Sequence, residues 1–390
     1  MAKQLDAVQL TRKLLEFNTV NPPGAEEACA QYLGDLLQSA GFRVDYSSFA
    51  PSRTSLIARI GAPGGKPPLG FTGHIDTVPL GAAPWKKHAF GASLEGGKLY
   101  GRGSSDMKSG IAAFVIAAVG LAEQLKNGPG VTLVITADEE TGCQGALHLV
   151  QESELLGRVG ALLIGEPTAN YPLLGHKGAL WFDVVTRGVT AHGSMPERGV
   201  NAVYGAAEAI LKLRDFRFEE PAHPLMGQPT LNVGTVRGGL NINSVPDEAT
   251  IGVDVRSVPG QDHAALLERI RSLLGDSAEV RPHTDVGAIY SEPAHAWVQH
   301  VFDVAAPILG ARPEPRAATY FTDGAVLRDV YRDVPMLVLG PGEPHLAHQT
   351  DEYCLVDRIE QAVDIYRELI ADWQSVTQPE THTERAKTAH

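Results

Sequence analysis

Phe71-Thr72-Gly73-His74-Ile75-Asp76 decides how the chain is read: an apolar stretch with strand character, Leu69–Thr72, runs out into a histidine and an aspartate. Three more apolar stretches end in the same way. Val131–Thr136 leads into Ala137-Asp138-Glu139-Glu140, Ala161–Ile164 into Gly165-Glu166, and Val334–Leu339 into Gly340-Pro341 and, further on, His348. Several of these runs are apolar without alternation, as expected of strands covered on both faces. Ser55–Ile60 adds another strand, and helical stretches, notably Ser109–Leu125, lie between. Strands alternating with helices predict an α/β fold with a mostly parallel sheet and helices on both faces. Ligands of such sheets gather beyond the carboxyl ends of the strands. Four strand ends bearing His, Asp or Glu therefore predict one crevice. Gly103-Ser104-Ser105-Asp106-Met107-Lys108, just ahead of the Ser109–Leu125 helix, is a fifth contributor.

Outward from that core, residues 4–18 and 25–40 read as amphipathic helices joined by the Asn21-Pro22-Pro23-Gly24 loop. The middle of the chain differs. Strands at Leu180–Thr186, Leu231–Arg237, Ala249–Arg256 and Ala278–His283, with helices at Asn201–Leu213 and His263–Leu274, give the order β-α-β-β-α-β of a split-βαβ (ferredoxin-like) domain. Glycine-rich segments at Gly175–Gly178 and about Gly287–Pro293 bound it. The predicted organisation is a first part of the main domain at 1–177, an inserted domain at 178–291, the rest of the main domain at 292–375, and a polar tail at 376–390 expected to be disordered.

Composition narrows the function. The 390 residues carry 33 Lys+Arg against 46 Asp+Glu, a net charge of −13, which disfavours nucleic acid and anionic membrane surfaces as partners. Three dispersed cysteines, Cys29, Cys143 and Cys354, argue against a disulfide framework and fit a reducing cytoplasm. The first 17 residues lack the apolar core of a signal peptide, and the longest apolar run, Ile111–Leu121, is too short for a membrane span. Fourteen histidines and 46 acids leave imidazole–carboxylate metal binding open.

Side chains at i and i+2 of an extended segment point the same way, so Asp76 can hold one ring nitrogen of His74 while the other faces a metal. Adjacent Glu139 and Glu140 allow one carboxylate to ligate and the other to act as general base. Taken singly, each of these pairs reads more readily as a solvated loop or turn, Glu166 equally as an exposed loop acid, and His348 as a surface loop histidine. Their strength lies in their order along the chain.

That order is GHIDTVP, GRGSSDMKSG, TADEETG, GEPT and AHQTDEY. In it the chain resembles the dinuclear zinc amidohydrolases that include acetylornithine deacetylase, succinyl-diaminopimelate desuccinylase, aminoacylase and bacterial glutamate carboxypeptidase, from the first helix to about residue 375. The resemblance implies two divalent ions, zinc first with cobalt or manganese as substitutes. His74, Asp106 and Glu166 would hold one; Asp106, Glu140 and His348 would hold the other, with Asp106 shared. It implies Glu139 as general base, Asp76 as the orienter of His74, and a cis bond between Asp106 and Met107. It also implies a lid and dimerisation role for the inserted domain, with His192 of Thr190-Ala191-His192-Gly193-Ser194 reaching the site of a second subunit. Asn243 and Arg256 match positions that contact substrate, and Gly324 of Thr322-Asp323-Gly324 would close the pocket. The residues alone leave His192 as a turn residue, Asn243 as a turn cap and Arg256 as an ion-pair partner of Asp254 or Asp247.

The implied activity is hydrolysis of the amide bond of a small N-acyl amino acid. Gly175–Gly178, Thr136–Thr141 and Ala347–Tyr353 are similar to the acetylornithine deacetylase branch, whereas Tyr320–Gly324 is more similar to the desuccinylase loop. A dipeptidase or carboxypeptidase on the same metals is the rival within the family. A silent binding protein would need a lost ligand or base, and every motif position is present. A two-metal phosphoesterase would add basic clamps, and none clusters beside these strand ends.

Overall fold

The computed structural model describes residues 5–62 and 64–375; the tail expected to be disordered, 376–390, lies outside them. A six-stranded sheet has the spatial order Arg43–Ala50, Arg53–Ile60, Val131–Thr136, Leu69–His74, Ala161–Ile164, Met336–Val338. The last four run parallel, and Arg53–Ile60 runs against both of its neighbours. The three central parallel strands are buried along their whole length, which is why their sequences show no alternation. The outermost strand, Arg43–Ala50, is polar and part-exposed; that composition hid it from the sequence reading. The expected helix at Ser109–Leu125 is two segments, Ser109–Gly120 and Ala122–Leu125, broken at Leu121.

Ser109–Gly120 is apolar nearly all round and packs under the sheet against the final helix, Val356–Ser375, and the first, Ala7–Leu15. Small residues set how closely it approaches. A Cβ on Gly110 would stand 2.0 Å from the Gly165 carbonyl oxygen, so only glycine lets this helix start against the end of the Ala161–Ile164 strand.

The middle of the chain forms a four-stranded antiparallel sheet in the order Thr230–Gly238, Glu248–Ser257, Gly178–Arg187, Ala278–Val286. Helices Ala202–Arg214 and His263–Leu274 pack on it around their own apolar cluster. Each starts on a side-chain cap that satisfies free N–H groups of the first turn: Asn201 accepts from Val203 N at 2.9 Å and Asp262 from Ala264 N at 2.8 Å. A small sheet of Ser93–Glu95, Lys98–Tyr100 and Tyr353–Leu355, unforeseen because its strands are three residues each, joins two distant parts of the chain.

Candidate active site

The carboxyl ends of the four parallel strands open onto one crevice. His74 ends its strand there, Glu139 and Glu140 follow the Val131–Thr136 strand, and Glu166 follows Ala161–Ile164. Asp106 arrives from the loop before the Ser109 helix, across a cis Asp106–Met107 bond. His348 arrives on a turn held at φ 63°, a left-handed conformation that costs a non-glycine residue about 1–2 kcal/mol.

The donors form two trios that meet at Asp106. Its Oδ1 lies 3.3 Å from His74 Nε2, which is 3.6 Å from Glu166 Oε1. Its Oδ2 lies 3.3 Å from His348 Nε2, which is 3.1 Å from Glu140 Oε2. Donors about 2.0–2.1 Å from a tetrahedral ion stand roughly 3.3 Å from one another, and the contacts near Asp106 have that spacing. Glu140 Oε1 is buried without a hydrogen-bond partner. His74, Asp106 and Glu140 form a group able to surround a metal ion, and oxygen with imidazole nitrogen is the donor chemistry zinc takes.

Charge points the same way. Burial pushes the Glu139 and Glu166 carboxyls well above the usual carboxylate range, and raises Glu140 too. Burial alone would raise Asp106 and lower His74. The hydrogen bonds from His348 and His74 instead hold Asp106 low, and Glu166, Asp106 and Asp76 hold His74 high. His348, bonded to Asp106 and Glu140, rises to about 10. So many buried acids around two imidazoles are electrostatically unbalanced without a cation.

Asp76 sits below this cluster. It is fully buried, with one oxygen 3.4 Å from His74 Nδ1, and its carboxylate accepts from Glu139 N at 3.0 Å, Glu140 N at 3.2 Å and Asn21 Nδ2 at 2.9 Å. The Asp76 backbone carbonyl also accepts from His74 Nδ1 at 3.1 Å, so this one residue aligns the histidine and the turn bearing both glutamates. Asn21 also donates to Asp138, whose second oxygen pairs with Arg53 at 3.1 Å. Glu352 is the corresponding anchor for Asp106. Its buried carboxylate accepts from the N–H groups of Gly103, Ser105 and Asp106 at 2.7–3.0 Å and pairs with Arg102 at 2.7 Å. Neither Asn21 nor Glu352 was assigned a part from sequence. The available signal for Glu352 was an acid four residues after His348, directly before a short strand.

A cavity of about 300 Å³ opens above the cluster, lined by Asp106, Glu139, Glu140, Glu166 and His348 and walled by Trp181, Arg256, Tyr320 and Phe321. Arg256 is at this wall and also pairs with Asp254 at 3.0 Å. Gly324 does not line the cavity: it is buried behind it against Ile164 and Ile289, and the rings of Tyr320 and Phe321 occupy the wall instead. His192 and Asn243 lie elsewhere. Both are exposed, and the Gly193 N–H donates to the Asn243 carbonyl at 2.7 Å, so they share one patch of the inserted domain. Neither lines the cavity.

Comparison with known proteins follows the same lines. Residues 70–372 match the family described as peptidase family M20/M25/M40. The chain is 30% identical over 355 residues to an acetylornithine deacetylase of Vibrio cholerae, covering 88% of this chain and 90% of that protein. It is 30% identical over 398 residues to a probable succinyl-diaminopimelate desuccinylase of Staphylococcus epidermidis, covering 93% and 96%. In structure it is similar to an M20 family metallo-carboxypeptidase from Sulfolobus solfataricus, with a TM-score of 0.80, 18% identity, and coverage of 96% and 100%. Fold, sequence and the acid-lined crevice agree, and the chain belongs to peptidase family M20/M25/M40, a metal-dependent hydrolase acting on amide bonds.

Proposed function

We propose that this protein removes the acyl group from a small N-acyl amino acid. The observation that carries this reading is the pair of donor trios sharing Asp106, with Glu139 beside them in a cavity sized for a small molecule. Two divalent ions, zinc in the first instance, would be held by His74, Asp106 and Glu166 and by Asp106, Glu140 and His348. When bound they supply Lewis acidity, polarising the acyl carbonyl and acidifying water.

The chain's own groups do the rest. Glu139, raised by burial, takes a proton from the attacking water and delivers it to the leaving nitrogen, so the amine departs neutral. Asp76 keeps Glu139 and His74 in register through its bonds to both segments. Arg256 offers a forked cation at the wall for the substrate's carboxylate.

We read residues 178–291 as an inserted lid between catalytic parts at 1–177 and 292–375; in support, its apolar cluster is separate from that of the main sheet. A homodimer through this insert is part of the same reading. Among the described residues the outer strand Thr230–Gly238 has an open edge, and Val200, Tyr204, Val236, Leu240 and Ile242 expose large apolar side chains on the same domain, a combination that favours association. His192 would then complete the partner's site and steady the oxyanion. The three cysteines are free and buried, in keeping with a cytoplasmic setting, and among the described residues no helix is long and apolar enough to cross a membrane. Steady-state assays of zinc-loaded protein on acetylornithine, succinyl-diaminopimelate, other N-acyl amino acids and dipeptides test the reading. Turnover of N-acyl amino acids is expected; dipeptide hydrolysis with no N-acyl turnover would replace it with a dipeptidase.

A further inference from the structure

Arg256 lies in an aromatic frame. Its guanidinium carbon is 5.7 Å from the ring centroid of Trp181 and 5.7 Å from that of Phe321, and the two rings meet edge to face at 5.7 Å. Asp254 locks the frame: it pairs with Arg256 at 3.0 Å and accepts from the Trp181 indole N–H at 2.8 Å. Tyr320 extends the wall, its hydroxyl donating to the Pro167 carbonyl at 2.9 Å, which leaves its ring as cavity lining. The polar ends of this wall are therefore already partnered, and what faces the cavity is ring surface and one cation.

Two consequences follow for a side chain entering here. A flat or branched apolar group gains ring contact and buries area against Trp181, Tyr320 and Phe321. An ammonium gains little. Aromatic faces attract cations, but Arg256 already sits over two of the rings, and the acids lining the cavity are the donors Asp106, Glu140 and Glu166 and the base Glu139. Asp254, the carboxylate that braces this wall, is committed to Arg256 and Trp181.

The geometry points to a leaving amino acid with a neutral, aromatic or branched apolar side chain, selected by Trp181, Tyr320 and Phe321, and to discrimination against diamino acids such as ornithine. This inference rests on the N-acyl amino acid reading above and adds the side-chain class.

The test needs no variant at first. Zinc-loaded protein is assayed with N-acetyl-L-phenylalanine, N-acetyl-L-norvaline and N-acetyl-L-ornithine; norvaline has ornithine's chain without its ammonium. kcat/KM is expected to fall in that order, with ornithine at least about tenfold below norvaline, a typical size for rejecting an unmatched group. Ornithine equal to or better than norvaline overturns this inference and leaves the deacylase reading standing. No turnover of any of the three by protein shown to contain metal, while another N-acyl amino acid is hydrolysed, overturns this inference alone; no turnover of any N-acyl amino acid overturns the deacylase reading and this inference with it. Phe321→Ala then separates wall from scaffold: phenylalanine's kcat/KM should drop about tenfold while norvaline's changes little. Equal loss on both substrates would remove Phe321 from the selecting wall. Calorimetric titration with free phenylalanine and free ornithine gives an independent readout, phenylalanine binding the tighter; the reverse order counts against the inference.

Discussion

The crevice and the His192 patch are opposites. In the crevice the segments that carry the functional side chains are fixed by others of the same chain: Asp76 aligns three groups at once, and Glu352 accepts three backbone N–H groups and holds Arg102. At the patch, His192 is exposed, with Ser194 as its ring's partner at 2.7 Å, and the neighbouring Ile242 and Leu240 are fully in solvent. The first region is preorganised within one chain. The second exposes apolar side chains that the described residues leave uncovered.

The most forceful way to break that contrast is to attack the crevice. Removal of metal by a chelator should abolish hydrolysis, and zinc should restore it; full activity in metal-free protein would dismiss the donor trios as a metal centre. Glu139→Gln should lower kcat by about 10²–10⁴-fold, the usual worth of a general base, with metal content by mass spectrometry unchanged. Loss of metal in that variant would move Glu139 from base to ligand.

The patch is probed by mixing. His192→Ala should cost about 10²-fold in kcat, as loss of an oxyanion donor does. If the two regions meet across a dimer, subunits of Glu139→Gln and His192→Ala unfolded and refolded together should recover roughly a quarter of wild-type activity, since half the dimers are mixed and one site in each is intact. No recovery, or a monomer of full activity in sedimentation, would make the patch a surface unrelated to the site.

Asp76→Ala should weaken metal binding about 10–100-fold, the usual effect of losing an outer partner of a ligating histidine, measured by competition with a chromogenic chelator. The smallest effect concerns stability. His176 is fully buried, donating from Nδ1 to the Lys177 carbonyl at 2.8 Å and accepting from Thr322 at 2.9 Å, and burial lowers its pKa to about 4. An unfolded imidazole titrates near 6.5. Between those values the unfolded chain binds the extra proton, so stability is lost as pH falls from about 6.5 to about 4, by about 3 kcal/mol in all. Urea titrations of wild type and His176→Gln at pH 7.5 and 4.5 check this: the gap in stability between them should shrink as the pH drops.

Much of the α/β order was legible because burial on both faces forces continuous apolar runs, and the split-βαβ order because strand and helix patterns follow one another between glycine-rich bounds. The edge strand Arg43–Ala50 and the three-residue strands were not, since neither length nor pattern marks them. The order of His74, Asp106, Glu139, Glu140, Glu166 and His348 was enough to nominate chemistry; it could not supply the partners that hold them.

By itself the sequence determined the long, strongly patterned elements, the chain order of the chemistry-bearing residues and their excess of acid, because these follow from side-chain pattern and composition. Only the tertiary structure decided that Asp106 offers one oxygen to each histidine, that Asp76 and Glu352 reach across 63 and 246 residues to fix Glu139 and Asp106, and that aromatic rings frame Arg256. Such contacts join residues far apart in the chain, and their distances are set by the packing of whole strands and helices, which no local pattern records.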